Sequence, residues 1–213
     1  MNHVTVVDYG RGNLFSVQHA LEACGAGVAV TRDPAVIASA ERLVLPGVGA
    51  FGDAARELRQ HGHFDAINQY FLTERPFLGI CVGMQLLLEA SEEFGTHIGF
   101  GLISGNVVAI PPVTPSGETR RVPHIGWFPI ASVDNGRPWA GTLLAGTKPQ
   151  TSFYFVHSFT AEPTDVRDRL ADTDYGGLRI SAAIARGNVF ATQFHPEKSG
   201  PEGLTVLRNF LSL

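Results

Sequence analysis

At 213 residues, 44% of them hydrophobic and 17% charged, the chain can bury one core of its own and reads as a single domain over residues 1–213. A net charge of −4 with no basic run argues against nucleic acid as a partner. Two cysteines make no disulfide framework, no apolar run reaches the ~20 residues that span a bilayer, and Met1 to Thr5 lacks the pattern of a signal peptide. A cytoplasmic protein with no membrane partner is expected.

His3 to Asp8 alternates with β-branched residues and reads as the first strand. The turn Tyr9-Gly10-Arg11-Gly12-Asn13 leads into a helix over Leu14 to Ala23, with Leu14, Val17 and Leu21 at helical spacing. The turn lacks the third glycine of a dinucleotide fingerprint, so one that shows Arg11 and Asn13 to a partner is the better reading. Val28 to Thr31 is a second strand, and Asp33-Pro34 opens a short helix with proline at its first position. Arg42 to Leu45 is a third strand. It runs into Pro46-Gly47-Val48-Gly49-Ala50-Phe51-Gly52, whose glycines let backbone amides face a ligand. The chain is helical from Asp53 and broken at His61-Gly62-His63, a solvated helix break rather than a metal site, because no further ligand lies nearby.

Pro76 to Cys81 is a short apolar run, the pattern of a strand buried on both faces of a parallel sheet. Met84 to Ala90 is rich in helix formers and predicts a helix. Between them Gly79-Ile80-Cys81-Val82-Gly83 has the shape of a nucleophile elbow with sulfur in place of the hydroxyl. A residue on that turn is presented at the carboxyl edge of the sheet, where helix N–H groups favour thiolate. A buried core cysteine is the other reading of the same pattern.

The second half reads as β-rich. Gly105 to Ile110 and Trp127 to Val133 are strands separated by the proline-rich loop at Pro111 to Gly117. Phe153 to Phe159 is one aromatic strand, and Arg179 to Ala185 with Asn188 to Phe194 is a hairpin across Arg186-Gly187. Glu202 to Leu213 is a closing helix with Leu204, Leu207, Phe210 and Leu211 on one face. After the hairpin comes His195-Pro196-Glu197. On an extended chain residues two apart share a side, so the carboxylate of Glu197 can hold the imidazole of His195. A surface ion pair is the plainer reading of two such residues alone. With a thiol in an elbow they supply nucleophile, base and orienter.

Pro46-Gly47-Val48-Gly49, Gly79-Ile80-Cys81-Val82-Gly83-Met84-Gln85 and His195-Pro196-Glu197 resemble the three signatures of class I, triad-type glutamine amidotransferases. Asp8 to Leu14, Ser91-Glu92-Glu93, Pro123 to Trp127, Phe155 to Ser158 and Gln193 to Ser199 resemble, more narrowly, the glutaminase subunits of imidazole glycerol phosphate synthase. The resemblance implies an α/β fold with a mixed, mostly parallel sheet, helices on both faces and a smaller antiparallel sheet. It implies hydrolysis of L-glutamine by Cys81, His195 and Glu197, with an oxyanion hole at Gly49 and Val82. Gln85, Glu93, Tyr154, His157 and Ser158 would stand at the substrate, and Arg11, Asn13, Pro123 and Trp127 at the interface with a (β/α)₈-barrel synthase subunit that takes the ammonia. No metal or other cofactor is implied. The chain departs from the pattern at Phe128, where the family usually has Asn, and in a longer segment at Pro111 to Thr119. A glutaminase feeding a different synthase, a stand-alone γ-glutamyl or peptide hydrolase and a non-catalytic scaffold are the alternatives.

Overall fold

The computed structural model describes residues 2–133 and 137–213. Met1, part of the N-terminal reading, lies outside them. The chain opens with β1 (His3–Val7), α1 (Leu14–Ala23), β2 (Gly27–Thr31), α2 (Pro34–Ser39), β3 (Leu43–Gly47), α3 (Phe51–Gln60), α4 (His63–Phe71), β4 (Phe77–Cys81) and α5 (Val82–Gln85). There follow β5 (Ala90–Ser91), β6 (His97–Ile98), β7 (Gly105–Ala109), β8 (His124–Pro129), β9 (Ala131–Ser132), β10 (Ser152–His157) and β11 (Phe159–Pro163). The last elements are β12 (Arg169–Tyr175), β13 (Leu178–Arg186), β14 (Val189–Thr192) and α6 (Gly200–Ser212).

The main sheet runs β2-β1-β3-β4-β14-β13-β12-β9. Its first five strands pair in parallel and the rest antiparallel. Every residue of β3, β4 and β14 is buried, as expected of strands covered on both faces. The helices form two groups, α1 with α6 and α2 and α3 with α4, which right-handed crossovers place on opposite faces. Asp33 caps α2 by accepting a hydrogen bond from the Ala35 N–H at 2.8 Å, and Pro34 takes the position where a missing N–H costs nothing. The core is rich in aromatics, with Tyr70, Phe51, Phe77, Phe153, Phe155, Phe194 and Phe210 all fully enclosed.

The expected smaller sheet is two. β8 and β10 form an antiparallel ribbon, and β11-β7-β5-β6 a four-stranded sheet in which β5 and β7 run parallel. The single aromatic strand expected over 153–159 is broken at Ser158, because β10 pairs with β8 while β11 pairs with β7. Likewise β8 and β9 join different sheets on either side of Ile130. The helix expected from Met84 to Ala90 stops at Gln85. Beyond it the carbonyls of Leu86, Leu87 and Leu88 accept hydrogen bonds from Phe100, Ile103 and Gly101, so long-range pairing overrides local helix propensity. β12 has no counterpart in the sequence reading, since its Asp172 and Asp174 mask the alternation.

The departures at Phe128 and Pro111 to Thr119 both have a structural account. Phe128 turns inward, its ring centroid 4.0 Å from that of His124 and 5.3 Å from that of Tyr175. The long segment is pinned by buried Arg120, whose guanidinium donates to the carbonyls of Pro111, Val113, Tyr175 and Gly176 at 2.9, 3.2, 3.0 and 2.9 Å.

Candidate active site

Cys81 ends β4 at the centre of the sheet, with Gly47 of β3 beside it in register. Its backbone stands at φ 54°, a left-handed conformation that costs a non-glycine residue of order 1–3 kcal/mol. The surrounding glycines explain how the turn is held. A Cβ on Gly83 would run into the carbonyl of Leu45, and one on Gly79 would lie 2.6 Å from the Gly83 carbonyl oxygen. Strand, turn and helix therefore approach closer than any side chain permits. With α5 only four residues long, the field on the sulfur comes from its first N–H groups and not from a long helix dipole.

β14 pairs in parallel with β4, Thr192 opposite Ile80, and so brings the next residues to the same edge. The Nδ1 of His195 lies 2.8 Å from Oε1 of Glu197, and both side chains are almost fully buried. The pair forms on a turn of 3₁₀-helix over Pro196–Lys198 rather than on the extended chain that the spacing suggested, because Pro196 fixes the backbone into that turn. Ser199 braces it by donating its hydroxyl to the His195 carbonyl at 2.7 Å and accepting the Tyr154 N–H at 3.0 Å. Burial alone would push His195 down. The interaction with Cys81 and then that with Glu197 outweigh it and raise the imidazole to about 9. The second nitrogen of His195 is buried with no hydrogen-bond partner.

A cavity of about 170 Å³ opens over these groups, walled by Val48, Gly49, Cys81, Val82, Gln85, Glu93, Val156, His157, Ser158, Phe159 and His195. Cys81, His195, Gly49, Val82, Gln85, Glu93, His157 and Ser158 are thus brought together. Glu197 stands behind His195. Glu93 also accepts the Phe51 N–H at 2.7 Å and so caps α3, whose own cap residue, Ala50, has no side-chain acceptor. Tyr154 departs from its expected place at the substrate. It is absent from the wall, its ring centroid 6.1 Å from that of Trp127 and its carbonyl accepting the His195 N–H at 2.9 Å, because the cavity meets β10 only at its far end, at Val156 and His157. Arg11 leans over the glycine loop and pairs with Asp53 at 3.2 Å, Asn13 stands at the start of α1, and Pro123 and Trp127 are exposed beside Ile125.

Some buried polar contacts of the site escape the sequence reading. Gln193 donates from Nε2 to the sulfur of Cys81 at 3.5 Å. The spacing rule that linked His195 to Glu197 also points back from His195 to Gln193, but nothing in it names Cys81 as the partner. His124 and His157 form a buried pair at 2.9 Å. Burial, then the charge of the neighbouring imidazole, lowers His124 to about 3; burial lowers His157 to about 4. Among the described residues no cluster of three or more acidic, His or Cys side chains could hold a metal, and no helix is long and apolar enough to cross a membrane. His63 is buried rather than solvated, and its Nε2 donates to the Arg32 carbonyl at 2.8 Å.

A family model described as glutamine amidotransferase class-I matches residues 5–213. Imidazole glycerol phosphate synthase subunit HisH 1 of Legionella pneumophila (strain Lens) is 46% identical over 213 residues, 100% of both chains. Subunit HisH of Syntrophotalea carbinolica is 47% identical over 208 residues, 97% of this chain and 98% of that one. PurLQS from Thermotoga maritima is a solved structure with a TM-score of 0.69 at 22% identity, covering 99% of this chain and 97% of that one, a likeness of fold. The chain therefore belongs to the class-I glutamine amidotransferases, in the family of the HisH subunits of imidazole glycerol phosphate synthase.

Proposed function

We propose that the chain hydrolyses L-glutamine to glutamate and ammonia as the glutaminase subunit of an imidazole glycerol phosphate synthase in histidine biosynthesis. The carrying observation is a buried Cys81, His195 and Glu197 at one sheet edge, in a chain alike over its full length to HisH subunits. Cys81 attacks the carboxamide carbon, and the C–N bond breaks as His195 gives its proton to departing ammonia. His195 then takes a proton from water, which opens the thioester and frees glutamate and the thiol. Glu197 keeps the imidazole oriented and favours its charged form. The N–H groups of Val82 and Gly49 receive the oxyanion, and Gln85, Glu93, His157 and Ser158 surround the rest of the substrate. In this reading no metal or organic cofactor takes part.

The ammonia passes to a (β/α)₈-barrel synthase subunit, docked on the exposed row Pro123, Ile125 and Trp127 with Arg11 and Asn13 beside it. Phe128 packs inward against His124 while Ile125 and Trp127 stay exposed, which supports this partner over a different synthase. The test is synthesis by the reconstituted pair from glutamine or from ammonium salts. Cys81→Ala should lose the first and keep the second. A complex dead with both would make Cys81 structural.

A further inference from the structure

The chain of buried amides behind the nucleophile has a direction that can be worked out from one carbonyl. The Phe159 carbonyl oxygen accepts a hydrogen bond from Gln85 Nε2 at 3.0 Å, and it can only accept. That fixes which end of the Gln85 amide is NH₂. The same Nε2 lies 3.1 Å from the Gln193 side chain, so the atom it meets there must be the oxygen. The Gln193 NH₂ is then the end that faces the sulfur, at 3.5 Å. Gln193 is fully buried, and its own N–H is bonded to the Ala182 carbonyl at 2.9 Å, so neither its backbone nor its amide is free to turn away.

We propose that Gln193 is a positioning residue for the nucleophile, a fixed N–H donor that stabilises the thiolate of Cys81 and keeps it aimed at His195. Gln193 is not part of the cavity wall, so it acts through Cys81 and touches no reacting carbon. A donor suits the charged sulfur better than the thiol, and hydrogen bonds to charged groups are the stronger kind. The other titratable or charged groups around the sulfur are His195, Tyr9, Glu93, His157 and Arg11, and substituting Gln193 removes none of them. The proposal rests on Cys81 being the nucleophile.

The test compares Gln193→Met, which keeps length without a donor, and Gln193→Glu, which keeps shape but presents an acceptor. The rate of Cys81 alkylation by iodoacetamide is followed against pH on the full chain, with mass spectrometry separating Cys81 from Cys24. Glutaminase kinetics are followed with the synthase subunit present. Gln193→Met should move the alkylation midpoint to higher pH and lower kcat about tenfold, the low end for a bond to a charged group, with KM changed less than twofold. Gln193→Glu should move the midpoint further in the same direction. A midpoint unchanged in both variants overturns the proposal, even if activity falls, because a mere packing role would leave it in place. Should Gln193→Met fail to fold, the isosteric Gln193→Glu carries the test alone. Cys81→Ala is run beside them; if it retains glutaminase activity the functional reading fails, while the alkylation profiles still report on Gln193.

Discussion

His124 donates from Nδ1 to Nε2 of His157 across 2.9 Å. The direction follows because His157 Nδ1, 2.8 Å from the Phe159 carbonyl, must donate there, which leaves Nε2 of the neutral ring as an acceptor. Nε2 of His124 is then a buried acceptor with no partner, set among the rings of Phe128, Phe155 and Tyr175.

This pair makes the fold acid-sensitive. Both imidazoles titrate below the ordinary value, His157 at about 4 and His124 at about 3, so the unfolded chain binds more protons than the folded one. Their contribution is present above about pH 6.5 and is lost as pH falls toward those values, with a limiting slope of about 2.7 kcal/mol per pH unit for two protons. His124→Gln keeps a donor for His157 and removes one titrating group. Urea unfolding at pH 7, 6 and 5 should show a shallower loss in the variant, and parallel curves would contradict the pairing.

Cys81→Ala should abolish glutamine hydrolysis, a loss on the order of 10⁴–10⁶-fold if the triad acts as a unit. An electrophilic glutamine analogue should label Cys81 and spare Cys24, whose thiol burial pushes up. Inactivation with the label on Cys24 would refute the assignment.

Glu197→Gln should cost less than His195→Ala, because orienting a base is worth less than being one. It should also move the alkaline limit. His195 stays protonated up to about pH 9 with help from Cys81 and Glu197, so removing the carboxylate charge brings that limit down. The measurement is the pH profile of kcat/KM, and an unmoved alkaline limb would show that Glu197 does not tune the imidazole.

Arg120→Met should unpin the 111–119 segment. Its loss leaves four carbonyls without their charged donor, a cost of about 2 kcal/mol after water reaches the exposed ones, or roughly 4–8 °C in Tm. Calorimetry decides it, and an unchanged Tm would mean the segment is held by other contacts.

The isolated chain should bind glutamine but turn it over slowly. Gly49 sits at φ 89° at the tip of the loop beside the sulfur, so the peptides around it can rotate without a Cβ clash. Losing one oxyanion donor costs roughly 10²–10³ in rate. Adding the synthase subunit and its nucleotide ligand should raise kcat far more than it lowers KM. Full activity of the lone chain in steady-state kinetics would argue for a stand-alone hydrolase.

Features that depend on neighbours in sequence were legible: the buried strands, the capped α2, the elbow with its glycines and the hairpin leading to His195. Those that depend on distant partners were not. The Met84–Ala90 run looks helical until residues 99–103 claim its carbonyls. Phe128 looks like an altered surface until Tyr175 covers it. Tyr154 sits within a substrate-like motif, yet its ring lies by Trp127 and outside the cavity wall. Gln193 looks like one residue of a motif until β14 pairs with β4 and closes its bond to Cys81 across 112 positions.

The pairing of β14 with β4 also sets when chemistry can begin. β4 is made first, and His195 and Glu197 leave the ribosome only after β5 to β14 have followed it. Chains fold from the N-terminus as they emerge, and contacts this far apart close late. A nascent or truncated chain ending before His195 therefore holds its nucleophile without a base and spares the cell's glutamine until the whole sheet is zipped.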